Sequence, residues 1–312
     1  MTAGWALLAA TRAGVVRAAE EGGAWQAELA HPCERCTAVA VAADVAYAGA
    51  RSGGVARSRD GGRTWEPAGL GGLAVTALAA SDEVVLAGTE PTAVHRSEDG
   101  GETWVELDAF RRIRARRLWF FPGAPPFKAY VSAIAVSDGT YVIGIEAGAV
   151  VRSTDGGRTW EDHRPGALRD CHDLVAGAAG RVYEAGGNGG GFAASADAGE
   201  SWERAPLEQG RTYGVAVATD WDRVYAASSP SPFKAHGQKP AEARIYRRDG
   251  SAWTALTSEL PETPFGLAAP ATGILFAGLR DGRILASEDA GETLRELCCA
   301  PAGIRHLAAV RA

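Results

Sequence analysis

Two groups of residues in this sequence could do chemistry. The first is a set of five cysteines. Cys33 and Cys36 form a Cys-x-x-Cys with His31 just ahead, Cys298 and Cys299 are adjacent, and Cys171 stands alone. Thiolates with an imidazole bind Zn2+ or Cu(I). The same spacing serves a redox pair, and the plainer alternative is scattered buried or rim thiols. The second group is Glu146, His172, Glu184 and Tyr213. Two carboxylates flanking a scissile bond are the machinery of glycoside hydrolysis, so Glu146 and Glu184 are the candidate pair, with His172 and Tyr213 beside them. Tyr130, Asp170 and Asp173, with Glu90 and Glu242, complete the titratable set. Taken singly, each is as well explained as a hydrogen-bonded rim residue.

A third group is suited to binding. Arg111, Arg112, Arg114, Arg116 and Arg117 precede Trp119, Phe120, Phe121, Phe127 and Lys128. Guanidinium groups interleaved with aromatic rings hold anions, sugars or single-stranded nucleic acid, or else simply pin a surface loop. A second stretch, 228–243, carries Ser-Pro repeats with Lys234, His236 and Lys239. Arg114, Trp119, Tyr130, Arg164, Asp170 and His236 are the candidate ligand contacts.

These residues need a frame, and composition narrows it. The chain has 312 residues, 46% apolar and 22% charged, with a formal charge of −6. Forty residues are glycine, about one in eight against roughly one in fourteen in an average protein. Glycine scattered among short apolar runs points to many turns and an all-β structure. No apolar run approaches the roughly 18 residues of a membrane-spanning helix. Net acidity argues against nucleic acid as the main partner. Only Lys128, Lys234 and Lys239 of the 32 basic residues are lysine, which reads as a GC-rich bacterial genome rather than a code. Arg12 interrupts the apolar start and no basic region precedes it, so a secretory signal is not expected. The odd cysteine count fits a reducing compartment, and the expectation is cytoplasmic.

A repeat supplies the frame. Ser58-Arg-Asp-Gly-Gly-Arg-Thr-Trp65 returns at Ser97–Trp104 and Ser153–Trp160, with looser copies at Ser195–Trp202 and Ser287–Leu294. A shortened copy runs from Arg247 to Trp253, and an eroded one from Ala18 to Trp25. The closing residue falls at 25, 65, 104, 160, 202, 253 and 294. Upstream of each box lie two more apolar runs, so each unit supplies four antiparallel strands. Units of about 40–45 residues with four strands are propeller blades. The C-terminal run Ile304–Val310 lacks a following partner, and Trp5–Ala9 lacks a preceding one. Together they predict a seven-bladed β-propeller, one domain over 1–312, closed by its C-terminal strand within the N-terminal blade.

Ser-x-Asp-x-Gly-x-Thr-Trp is the Asp box, and the chain resembles the sialidase-like (BNR-repeat) propeller superfamily. Asp60, Asp99, Asp155, Asp197, Asp249 and Asp289 are then structural turn residues rather than metal ligands or catalysts. Asp162–Ala167 and Glu242–Arg247 resemble stretches of bacterial proteins labelled glycosyl hydrolase or BNR-like repeat protein. Sialidases carry Phe-Arg-Ile-Pro; here Phe110-Arg111-Arg112-Ile113 lacks the proline, and no sialidase catalytic residue carries over.

Hairpin topology puts the boxes on one face and the insertions 109–129 and 228–243 on the other, around the channel mouth. Locally basic lids on an acidic protein favour a small anionic ligand there. Two function classes follow. One is a small-molecule or glycan site, hydrolase-like if it is an enzyme. The other is a scaffold for a protein partner, as in the photosystem II assembly propellers the chain also resembles. Zn or Cu at Cys33, Cys36, Cys298, Cys299 and His31 is a third expectation, and no cofactor is required.

Overall fold

The computed structural model describes Thr2 and residues 4–119, 128–187, 189–237 and 239–312. Seven antiparallel sheets surround one axis, and within each the strands run A to D from the axis outwards. The A strands are Cys36–Ala42, Ala74–Ala80, Val131–Ser137, Asp170–Ala176, Tyr213–Thr219 and Pro264–Ala271 in blades 2 to 7. Blade 1 takes its A strand from the other end of the chain. Ile304–Arg311 pairs with Trp5–Thr11 from Ala6 against Val310 to Ala10 against His306. That closure leaves the ring without an open edge. Blade 4 has three strands, its fourth reduced to a bridge between Arg152 and Glu161.

Alanine fills the inner strands because seven of them converge on the axis. Blades meet so closely that some positions tolerate no side chain. A Cβ on Gly88 would lie 2.3 Å from Val131 of the next blade.

The box turns have one geometry. In blade 2, Ser58 Oγ donates to Asp60 Oδ1 at 2.8 Å, and Thr64 donates its N–H and hydroxyl to the same carboxylate at 2.9 and 2.6 Å. Gly62 N–H donates back to Ser58 Oγ, and the Trp65 indole donates to Gly62 O. Gly62 has φ +84°, and a Cβ there would meet Leu8 at 2.3 Å. The pattern recurs at Asp99, Asp155, Asp197 and Asp289. These hydrogen bonds, the threonine hydroxyl first, hold the Asp60 carboxyl down at about 2.

Two expected copies depart from it. Asp249 sits at a tight hairpin opposite Ala252 and pairs with Arg247 at 2.8 Å. The eroded first copy is a plain hairpin at Gly22-Gly23, followed by a nine-residue D strand, Ala24–Pro32.

Part of the arginine excess has a structural role that composition did not reveal. Arg17, Arg57, Arg96, Arg152 and Arg247 each leave a C strand and donate to a backbone carbonyl in the turn of the following blade. Their acceptors are the carbonyls of Gly61, Gly100, Gly156, Asp197 and Ala290, at 2.8–3.2 Å. Arginine suits this task because its fork also reaches neighbouring carboxylates, as Arg57 does with Glu66 and Glu102.

Candidate functional site

At the face opposite the box turns the channel opens into a cavity of about 440 Å³. A β-bulge repeated in every blade builds its floor. Near its start each A strand slips register against B by one residue, leaving Thr37, Thr76, Ser132, His172, Val215, Phe265 and Arg305 unpaired. All seven line the cavity. A bulge re-aims its residue away from the pleat, here into the channel.

In four consecutive blades the bulged side chain also ties its blade to the next. Thr37 and Thr76 donate to Val75 O and Val131 O at 2.7 Å, and Ser132 donates to Cys171 O at 2.6 Å. His172 Nδ1 lies 2.6 Å from Gly214 O; a carbonyl only accepts, so Nδ1 carries the proton. Below this ring the channel widens again into a second cavity of about 530 Å³, lined mainly by aliphatic residues.

The mouth has three walls. The acidic wall joins Glu146, Asp170 and His172, with His172 Nε2 3.4 Å from Asp170 Oδ2 and 4.0 Å from Glu146 Oε1. Ala147 N–H donates to Asp170 Oδ1 at 3.3 Å, and Tyr130 hydrogen-bonds Glu146. Burial pushes Glu146 up to about 7 against the pull of His172. Burial also works against charge on His172, yet the Asp170 hydrogen bond and the two carboxylates outweigh it and raise the ring to about 9. Deeper in the channel, Asp173 accepts the N–H groups of Val217 and Leu174 at 2.9 Å and is pushed by burial to about 7.

The aromatic wall runs from His172 to Tyr213 and His236 and ends at Phe265. Successive ring centroids stand 4.5, 5.7 and 5.1 Å apart. His236 is delivered by the 228–243 insertion, where Pro232–His236 forms a helical turn capped by Ser231. Its Nε2 lies 2.9 Å from the Tyr213 hydroxyl, and burial lowers its pKa to about 4.

The cationic wall is Arg12, Arg35, Arg51 and Arg305, all from blades 1 and 2. Arg51 is ion-paired with Glu90 and stacks over Tyr130. Arg305 is exposed to the mouth, yet desolvation by its surroundings and then the charges of Arg12, Arg51 and Arg35 push its pKa down.

The structure thus brings Glu146, His172, Tyr213, Tyr130, Asp170 and His236 together and leaves other candidates elsewhere. Glu184 lies in the middle of a B strand, opposite Leu174 and Ala193. It is wholly buried, accepts Leu168 N–H at 2.8 Å, and is pushed by burial to about 8. It therefore makes no hydrolytic pair with Glu146. Trp119 is a core residue against Phe110. Arg114 is exposed beside Arg158 and Thr159 of a box turn, and Arg164 pairs with Glu161 and Glu200 at that same side. Phe120, Phe121 and Phe127 lie outside the described residues.

The expected basic lids are largely neutralised or point elsewhere. Lys234 pairs with Glu242 and Lys239 with Glu262. Arg116 packs on Phe110 and donates to Thr92 O.

The cysteines do not converge either. Cys33 and Cys36 interact with each other, Cys171 is buried behind His172, and Cys298 and Cys299 belong to a D strand rather than a loop. Among the described residues, the one group of three or more metal-ligating side chains is Glu146, Asp170 and His172. The residues that sequence reasoning missed are Arg12, Arg35, Arg51 and Arg305. Their signal was positional: Arg305 stands immediately before an apolar A strand, as His172 does.

Fold and site together define a seven-bladed β-propeller with a charge-divided cavity at one mouth of its channel. No protein-family model and no curated protein matches the chain. Solved structures of similar fold include a GH74 xyloglucanase from Xanthomonas campestris, 18% identical, with TM-score 0.68 over 99% of this chain. The chain spans 52% of that enzyme's length. YCF48 bound to D1 peptide is 18% identical, with TM-score 0.60 over 84% of this chain and 80% of that one. YCF48 from Cyanidioschyzon merolae is 14% identical, with TM-score 0.56, 81% of this chain and 80% of that one being covered. At these identities the likeness is one of fold.

Proposed function

We propose that this propeller binds a small anionic molecule, a carboxylate- or phosphate-bearing metabolite or acidic sugar, in the mouth opposite the box turns. One observation carries the reading. Arg12, Arg35 and Arg305 line one wall of the cavity, and among the described residues none has a carboxylate within ion-pairing distance, although the protein's net charge is −6. Like charges gathered at one mouth raise the free energy of the empty protein, and an anion relieves that repulsion. Guanidinium forks match carboxylate and phosphate geometry. The rings of Tyr213 and Phe265 opposite offer stacking surface for a sugar or other flat body.

Titration calorimetry with inorganic phosphate, glucuronate and glucose 6-phosphate, against neutral glucose, tests this. The anions should bind and glucose should not, and Arg305→Ala should weaken anion binding at least tenfold. Equal binding of glucose, or an unchanged Arg305→Ala variant, overturns the reading.

A second reading places a protein segment in the mouth, through a free C-terminal carboxylate on the same arginines. It is favoured by the fold likeness to YCF48, whose structure holds a D1 peptide. A short peptide binding with a free C-terminus but not when amidated would select it. Hydrolysis of a glycoside draws no support from Glu146 and Glu184, since Glu184 lies outside the cavity.

A further inference from the structure

The acidic wall gathers an imidazole and two carboxylates at separations that also suit a metal ion. We infer that Glu146, Asp170 and His172 form a binding site for a first-row divalent transition metal such as Zn2+. The three side chains come from a B–C turn of blade 4 and the start of the A strand of blade 5. Each offers one ligand atom, and the three atoms lie within 4.8 Å of one another. Metal–ligand bonds of about 2.0–2.2 Å at tetrahedral angles place ligand atoms about 3.4 Å apart. The separations from His172 Nε2, 3.4 and 4.0 Å, are at that value or about half an ångström beyond it.

Two further observations point to a ligand. His172 Nε2 is buried, and the polar groups it faces are the two carboxylates, Asp170 at a long 3.4 Å and Glu146 at 4.0 Å. Its ring is held by Nδ1–H donating to Gly214 O, which aims Nε2 at the two carboxylates, where a metal ion would take the place of its proton. Metal-ligating histidines are oriented in this way, through the second nitrogen on a backbone carbonyl. The carboxylates are held from behind as well, Asp170 by Ala147 N–H and Glu146 by Tyr130. A preformed outer shell around all three ligands is what metal affinity requires and what a chance surface cluster lacks.

Two carboxylates with one imidazole favour Zn2+, Mn2+ or Fe2+ over Mg2+ and Ca2+, which prefer all-oxygen sites. The remaining coordination positions face the cavity, across from the arginine wall. The inference is independent of anion binding, because metal uptake is measured on protein without any anionic ligand.

The test is equilibrium dialysis with Zn2+ and visible spectroscopy with Co2+, on full-length protein whose Cys33, Cys36, Cys298 and Cys299 are changed to serine. That background removes competing thiolates. We expect one Zn2+ per chain and a Co2+ spectrum without thiolate charge-transfer bands. His172→Ala and Asp170→Asn should each weaken binding at least a hundredfold, and Tyr130→Phe about tenfold. If His172→Ala fails to fold, Asp170→Asn carries the test. Loss of Zn2+ binding in the four-serine background, or retention of full affinity in Asp170→Asn, overturns the inference.

Discussion

The two faces of this propeller are built from the same seven-fold repeat and use it in opposite ways. On the box face, five blades hold equivalent residues at equivalent positions, and each box carboxylate is satisfied within its own turn. At the mouth, equivalent positions hold Thr, Thr, Ser, His, Val, Phe and Arg, and the bulge turns each of them inward. The repeat therefore stabilises one face by sameness and makes a site at the other by difference. Substitutions on the box face should cost stability, and those at the mouth should cost binding.

The sharpest break of that contrast is Gly62→Val. A β-branched residue at φ +84° whose Cβ falls 2.3 Å from Leu8 combines backbone strain with overpacking, and should cost about 3 kcal/mol in denaturant unfolding. Arg57→Ala comes next. Arg57 is only 7% exposed and ties Glu66, Glu102 and Gly100 O together across two blades. Its loss should cost about 2 kcal/mol, also read in denaturant.

The box turns and the buried strands should further differ in the sign of their pH dependence. The box aspartates have native pKa values near 2, below the unfolded value. Their contribution is present above about pH 4 and is lost as pH falls towards 2. Asp60→Asn should flatten the fall in stability across that acid window. Glu184 behaves in the reverse sense. Its native pKa of about 8 exceeds the unfolded value, so its contribution is present below the ordinary carboxylate range and is lost as pH rises towards 8. Glu184→Gln should become increasingly stabilising, relative to wild type, between pH 5 and pH 8. A constant difference across that range would remove the buried carboxyl from the account.

The smallest effect on stability belongs to the mouth. Arg305→Ala removes an exposed cation repelled by its neighbours, and the melting temperature should hold or rise slightly even as anion binding falls. A large drop in melting temperature would make Arg305 a structural residue and erase the division between the faces.

Much of the frame was legible in the chain, because a box turn is a local device. Ser58, Asp60, Gly62 and Thr64 satisfy one another within seven residues, so their spacing reveals the turn, its phase and the blade it closes. Glu146, His172, Tyr213 and His236 were legible as mouth residues for the same reason, since their offset from a box fixes the end of the blade they occupy. Glu184 was misplaced because one step along a strand reverses the side to which a side chain points, and its offset from the box does not reveal that direction. Arg114 and Arg164 were misplaced because long side chains leaving a loop go where carboxylates and rings await them.

What the sequence determined alone is the blade count, the closure of Trp5–Thr11 with Ile304–Arg311, and the two faces. What only the tertiary structure decided is which residues share a wall. A ring brings blades 1 and 2 together from opposite ends of the chain, so Arg12, Arg35 and Arg305 become neighbours although 270 positions separate Arg35 from Arg305. Periodicity carries no information about charge meeting across an axis. That meeting depends on the closure of the ring and, for Arg305, on the bulge in its A strand, which local spacing does not encode.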